Sequence, residues 1–327
     1  MSGQRSIAFA GLGRIDVHHH CFPRTVPELK SEFEDNSYNL NYSPFPSTPQ
    51  EHIKYMDEVG IQTAVITPSI KSEWHNGYTA PKFLELCRCF AVLPLPHIQE
   101  SITFIREASS APTPPDGFAV TTAMGQRYLG DPAFEPVWAE VNKLRAVVFI
   151  HPADTVMPEY LNFGPFVQEF PFDTARAITS IIHSSVLVRQ PDIRFLFSHN
   201  GGAFPYLADR IGRQHLDNVI TKTNKGLTMR DLLATKNIYF DTSISSPMQY
   251  PIIKDIGIPS KRLLYATDYP YTKRDDNITY LDGYNAPKDS GLYDDAEMEG
   301  ILRENSLELF PRLAKFFYLI LNPVNVF

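Results

Sequence analysis

Short runs of β-branched and aromatic residues recur along the chain, and between them apolar residues fall three and four apart. Runs of the first kind cover residues 14–20, 63–68, 90–96, 117–122, 146–152, 193–199, 237–242 and 263–268. Each is short and almost continuously apolar, the pattern of strands. Helical spacing follows most of them, over 98–108, 132–144, 173–189, 204–216, 250–256 and 295–315. In the 132–144 helix the spacing is carried by Phe134, Val137, Trp138 and Val141. Ser47-Thr48-Pro49 reads as a helix start and Gly60 as its stop, which places one more helix before the second strand. Between the second and third strands only residues 81–87 are left for a helix, a shorter segment than the rhythm elsewhere.

Strands that are apolar on both faces belong in a parallel sheet covered on both sides. Eight strand–helix units in about 300 residues predict an α/β fold of the (β/α)8 TIM-barrel kind, with a doubly wound open sheet as the rival. No internal repeat and no low-complexity linker divides the chain, so residues 1–327 are read as one domain. Two long polar and aromatic stretches interrupt the rhythm: an inserted loop region at about 22–46 and a loop at 153–170.

Composition narrows the function. Hydrophobic residues make up 43% and charged residues 20%, and the net charge is −7, so nothing points to a nucleic-acid partner. No stretch has the roughly 18 apolar residues of a membrane span, and the first ten residues lack a signal-peptide core. Three cysteines, Cys21, Cys87 and Cys89, are too few and too odd in number for a disulfide framework. The expectation is a cytoplasmic protein with no membrane association. Gly11-Leu12-Gly13 lacks the third glycine of a dinucleotide loop and is followed by a strand, so that reading is set aside.

The chemistry lies at the strand ends. His18 and His20 are two apart on the first strand and therefore share a face, whereas His19 points away. Two imidazoles so placed can grip one divalent ion. His151 ends the fifth strand, His199 the sixth and Asp268 the eighth. In a barrel those ends meet in one place, and unpaired imidazole or carboxylate groups are costly to bury. Asp16 falls two residues before His18, on the expected metal-facing side. It is either an orienting partner of a ligand or simple polarity low on the strand. Asp241 ends the seventh strand and is read as a substrate or water contact or as a helix cap.

Five segments carry a resemblance: Asp16-Val17-His18-His19-His20, Tyr128-Leu129-Gly130-Asp131-Pro132, Val148-Phe149-Ile150-His151-Pro152, residues 198–206 beginning Ser198-His199-Asn200-Gly201-Gly202, and Ala266-Thr267-Asp268-Tyr269-Pro270. Together they resemble the amidohydrolase superfamily, in the branch of aminocarboxymuconate-semialdehyde decarboxylase and the aromatic-acid decarboxylases. Residues 169–176 and the Ser-His-x-Gly-Gly block are most similar to the 6-methylsalicylate decarboxylase group. The resemblance implies a metal-dependent hydrolase-type barrel with one divalent metal, zinc first and manganese second, held by His18, His20, His151 and Asp268. It implies Asp268 and His199 as the catalytic pair, and Arg210 either as a contact to an acidic substrate or as half of a structural ion pair. Phe163, Phe166 and Phe170 would line a pocket for an aromatic ring. The activity implied is non-oxidative decarboxylation of a hydroxy-aromatic acid, 6-methylsalicylate to m-cresol and carbon dioxide, by an enzyme expected to be a homodimer. Hydrolysis of a lactone or amide on the same site, or a non-catalytic scaffold, are the alternatives.

Overall fold

The structure is a computed structural model that describes residues 13–20, 49–67, 89–153, 165–213, 219–271 and 282–314. Eight strands build the frame: β1 Arg14–His20, β2 Ile61–Thr67, β3 Phe90–Val92, β4 Gly117–Thr121, β5 Val147–His151, β6 Arg194–Phe197, β7 Ile238–Asp241 and β8 Leu263–Leu264. Strands β3 to β8 form one parallel sheet in sequential order, and β1 pairs in parallel with β2. Two seams close the ring. Ile66 bridges Cys89 between β2 and β3. Along the other seam Val17 N–H donates to Tyr265 O at 3.1 Å, and His20 N–H donates to Tyr269 O at 2.7 Å. The result is the (β/α)8 barrel that the strand–helix rhythm predicts.

Helices α1 Pro49–Val59, α2 Ile98–Ser110, α3 Glu135–Lys143, α4 Glu169–His183, α5 Phe204–Arg213, α6 Met229–Thr235 and α7 Gln249–Asp255 lie on the sequence between or beside these strands. The apolar strand residues divide between two cores. Val148, Ile150, Phe195, Phe197 and Phe240 face outward and pack with helix residues such as Trp138, Val141, Ile178 and Ile182. Val17, Val65, Phe90, Ala119, Val147, Phe149, Leu196, Leu264 and Ala266 fill the barrel interior. Leu309, Phe310 and Leu313 join this inner cluster, and the Phe310 ring meets the Phe90 ring edge-on at 5.9 Å. The lumen is thus a packed apolar column, and only its upper end is polar.

Several elements differ from the sequence expectation for local reasons. The third strand stops at Val92, because Pro94 and Pro96 have no N–H to offer a ladder. The closing helix is not continuous: Asp295–Glu299 and Asn305–Leu309 flank a π-helical turn at Gly300–Glu304. That turn carries the buried Arg303, whose guanidinium donates to Gly13 O at 2.8 Å and to Gln62 Oε1 at 2.9 Å. The helix expected at 173–189 is split, because Ser185 takes a left-handed conformation between α4 and a short helix at Val186–Arg189. The stop at Gly60 is as expected, with φ +73°. The loop region at 22–46, the 81–87 segment, Cys21 and Cys87 lie outside the described residues. Cys89 is buried. Among the described residues no helix is long and apolar enough to cross a membrane.

Candidate metal centre

The polar end of the barrel interior is built by strand phase. On β5, Val147 and Phe149 point inward, and His151 is the next inward position. Along β8 and its extension Leu264, Ala266 and Asp268 repeat the pattern, and on β7 Asp241 is in phase with Tyr239. Strand β1 needs a correction of phase. Ile15 and Val17 are inward, yet His18 also meets the interior, its ring centroid 5.0 Å from that of Phe149. The β1–β2 register shifts between Asp16 and His19, where three steps on β1 oppose two on β2. This bulge places Val17 and His18 on the same side and turns the upper half of the strand over.

The bulge explains why Asp16 is not on the metal-facing side. Its carboxylate sits outside the barrel wall, accepting from His19 Nδ1 at 3.1 Å, Thr267 N–H at 3.1 Å and Thr267 Oγ1–H at 2.6 Å. It also accepts His18 N–H at 3.1 Å. Strict alternation from residue 16 to residue 18 fails at the extra residue. His19 points away from the interior as expected, and its Nε2 lies 2.9 Å from His52 Nδ1 on α1.

His18, His20, His151 and Asp268 come together, each offering one ligand atom, and all four atoms lie within 4.8 Å of one another. Nε2 of His18 and Nε2 of His20 are 3.0 Å apart, and Asp268 Oδ1 lies 3.1 and 3.0 Å from them. Ligands at about 2.0–2.2 Å from a shared ion stand roughly 3.0–3.5 Å from each other. Asp268 Oδ1 is enclosed, so three potential ligand atoms crowd one point: this oxygen and the Nε2 atoms of His18 and His20. The donor set fits a divalent cation.

The electrostatics agree. Burial pushes the His18 imidazole down, but the Asp268 and Asp241 carboxylates outweigh it and hold it up at about 10. Burial lowers His20, and it lowers His151 strongly, helped by the positive charge of His18 and His199. Burial would raise Asp268, yet the charge of His18 and the hydrogen bonds from its histidine neighbours keep it well below the usual carboxylate range. The two carboxylates thus make this buried place one that favours positive charge.

Two positions sharpen the geometry. His199 follows β6 in a left-handed conformation, φ +53°, and Asp268 does so at φ +58°. Such backbone costs of order 1–3 kcal/mol per residue and clusters at functional sites. Each turn aims its side chain back over the barrel mouth, and His199 Nε2 reaches Asp268 Oδ2 at 3.3 Å. Asp241 is the residue whose role the sequence left open. Its Oδ2 accepts from His18 Nδ1 at 2.9 Å, and its Oδ1 accepts His199 N–H at 3.0 Å, Ser243 N–H at 3.0 Å and Ser243 Oγ–H at 2.6 Å. With the Nδ1 proton given to Asp241, Nε2 of His18 keeps its lone pair for an ion.

The remaining candidates divide. The Phe170 ring meets the His151 ring edge-on at 6.3 Å. Phe166 is partly exposed, at 44%, and Phe163 lies outside the described residues. Arg210 sits exposed in the last turn of α5, six residues below the helix start at Phe204, about 9 Å down the barrel side. Tyr271, which the sequence did not single out, meets the His20 ring edge-on at 5.1 Å.

The amidohydrolase family model matches residues 15–312. The chain belongs to the amidohydrolase family. Within it, a 6-methylsalicylic acid decarboxylase of Aspergillus aculeatus is 33% identical over 92% of this chain and 97% of its own length. A 6-methylsalicylic acid decarboxylase of Penicillium expansum is 30% identical, with the same two coverages. A dihydroxybenzoic acid decarboxylase of Polaromonas sp. JS666, with bound manganese and the inhibitor 2-nitroresorcinol, superposes with a TM-score of 0.72. It is 20% identical, and the match covers 92% of this chain and 97% of that one. This amidohydrolase barrel therefore has the same architecture as a manganese-bound structure.

Proposed function

We propose that the protein is a metal-dependent, non-oxidative decarboxylase of a hydroxy-aromatic carboxylic acid, with 6-methylsalicylate as substrate and m-cresol and carbon dioxide as products. The observation that supports this reading best is the convergence of His18, His20, His151 and Asp268 at the mouth of a barrel whose relatives are named for this reaction. These four residues would hold one divalent ion. Three imidazoles and one carboxylate suit zinc, and the manganese of the structural neighbour makes that ion the alternative. When bound, the ion supplies a Lewis acid that anchors the substrate oxygens and neutralises charge gathering on them.

The chain's own groups handle the proton. His199 and Asp268, 3.3 Å apart, form a pair that can carry one proton between them. Asp268 rests ionised, so the proton it delivers arrives through His199. It goes to the ring carbon that bears the carboxylate. The carbon–carboxylate bond then breaks, its electron pair returns to the ring, and aromaticity is restored as carbon dioxide leaves. Phe170, beside His151, offers an apolar wall for the ring.

The test is carbon dioxide release from a panel of hydroxybenzoic acids led by 6-methylsalicylate, with metal-loaded and chelator-stripped protein compared. Release that depends on the metal is the expected result. No release from any acid, with one metal bound per chain, would overturn the reading and put lactone hydrolysis in its place.

A further inference from the structure

The upper layer of the barrel interior holds more than the metal cluster. On β2, Val65 belongs to the inner apolar cluster and Ile66 packs against the outer one. Thr67 is therefore the next inward position, and it is the last residue of the strand. It pairs across the β1–β2 ladder directly with His20. Directly opposed residues on one face lie within reach of each other's side chains. Thr67 is fully buried, yet its Oγ1 has no hydrogen-bond partner among the described residues. Thr121, also inward at the end of its strand, shows the contrast, for its hydroxyl donates to Ala123 O at 2.7 Å.

A buried hydroxyl without a partner is a cost to the fold that valine, of the same shape, would not incur. Sites that keep such a group gain from it when a ligand completes the hydrogen bond. Ser198 is the other hydroxyl of this layer without a partner among the described residues, half-way round the ring just after β6, but it leads straight into the left-handed His199 turn. Thr67 stands across the barrel from that turn.

Resting on the decarboxylase reading above, we infer that Thr67 is a substrate contact: its hydroxyl donates a hydrogen bond to an oxygen of the aromatic acid held beside His20, and so selects ring acids that carry a second oxygen next to the carboxylate. The hydroxyl is both donor and acceptor, which suits a phenolic oxygen or a carboxylate edge. The residue touches the substrate, not the metal.

The experiment uses the metal-loaded full chain and compares wild type with Thr67→Val and Thr67→Ser. Metal content, Tm, the Kd of 6-methylsalicylate by calorimetry and kcat/KM for its decarboxylation are measured. Thr67→Val is expected to keep one metal per chain and a Tm equal to or above wild type. It is expected to weaken Kd and kcat/KM by roughly tenfold or more. Thr67→Ser should stay within about threefold of wild type, because it keeps the hydroxyl. Wild-type Kd and kcat/KM in Thr67→Val would overturn the inference. So would equal losses in Thr67→Val and Thr67→Ser with a lowered Tm, which would make Thr67 a packing residue. Wild-type protein that binds the acid through Thr67 without releasing carbon dioxide overturns the decarboxylase reading alone. Wild-type protein that neither binds nor decarboxylates overturns both.

Discussion

Asp241 Oδ2 lies 2.9 Å from Nδ1 of His18, inside the barrel and away from water. The same carboxylate holds the backbone N–H of His199. One side chain on β7 thus holds both the ring of a histidine in the candidate metal cluster and the turn that carries His199. Replacing an orienting partner of this kind costs roughly 10–100-fold in metal affinity. Asp241→Ala is expected to fall in that range, measured by competition with a chromophoric chelator. Unchanged affinity would remove Asp241 from the site's support.

Metal binding should depend on pH with a definite sign. The His18 imidazole, held up at about 10, keeps a proton where a cation would sit, so binding must expel it. Apparent affinity is then expected to rise with pH across the neutral range, and a chelator should strip the protein faster at pH 6 than at pH 8. Isothermal titration in buffers of different ionisation enthalpy should show proton release. An affinity flat in pH would mean that no ligand proton is displaced.

Gly202 follows the His199 turn at φ +59°, and a Cβ there would collide with the Pro171 backbone on α4. Ala203 N–H donates to that same Pro171 carbonyl at 2.9 Å. Gly202→Ala combines a disfavoured backbone with a clash against an immobile group, so it should cost about 2 kcal/mol or more. Denaturant unfolding measures this directly. Loss of activity without loss of stability would show that the loop gives way instead.

Asp16 ties the two strand ends that carry His18 and Asp268, accepting from His18 N–H, His19 Nδ1 and both donors of Thr267. Asp16→Ala leaves those buried donors without an acceptor and should destabilise the protein by about 3 kcal/mol. Metal content at a temperature where the variant is fully folded would fall as well, because the β1–β8 seam sets the spacing of the ligands. Full occupancy there would confine Asp16 to stability.

Much of this was legible in the sequence, because strand phase and strand ends carry most of the information in a parallel barrel. His151 and Asp268 lie where alternation from Val147 and Leu264 puts them, and the residue spacing alone pairs His18 with His20. What the sequence hid was a change of phase. Nothing local marks the extra residue between Asp16 and His19, since a bulge shows only against the partner strand. Asp241 was seen as chemistry but not as support, because its partners lie 223 and 42 residues away.

The bulge lets one strand serve two patterns of faces. Below it, Ile15 and Val17 keep time with the apolar column; above it, His18 and His20 keep time with the polar end. A strand without that joint would force both ends to share one reading frame of faces. A single inserted or lost residue anywhere along it would then expose the histidines to the helices. With the joint, each end of β1 meets its own surroundings, apolar in the column below and polar at the mouth above.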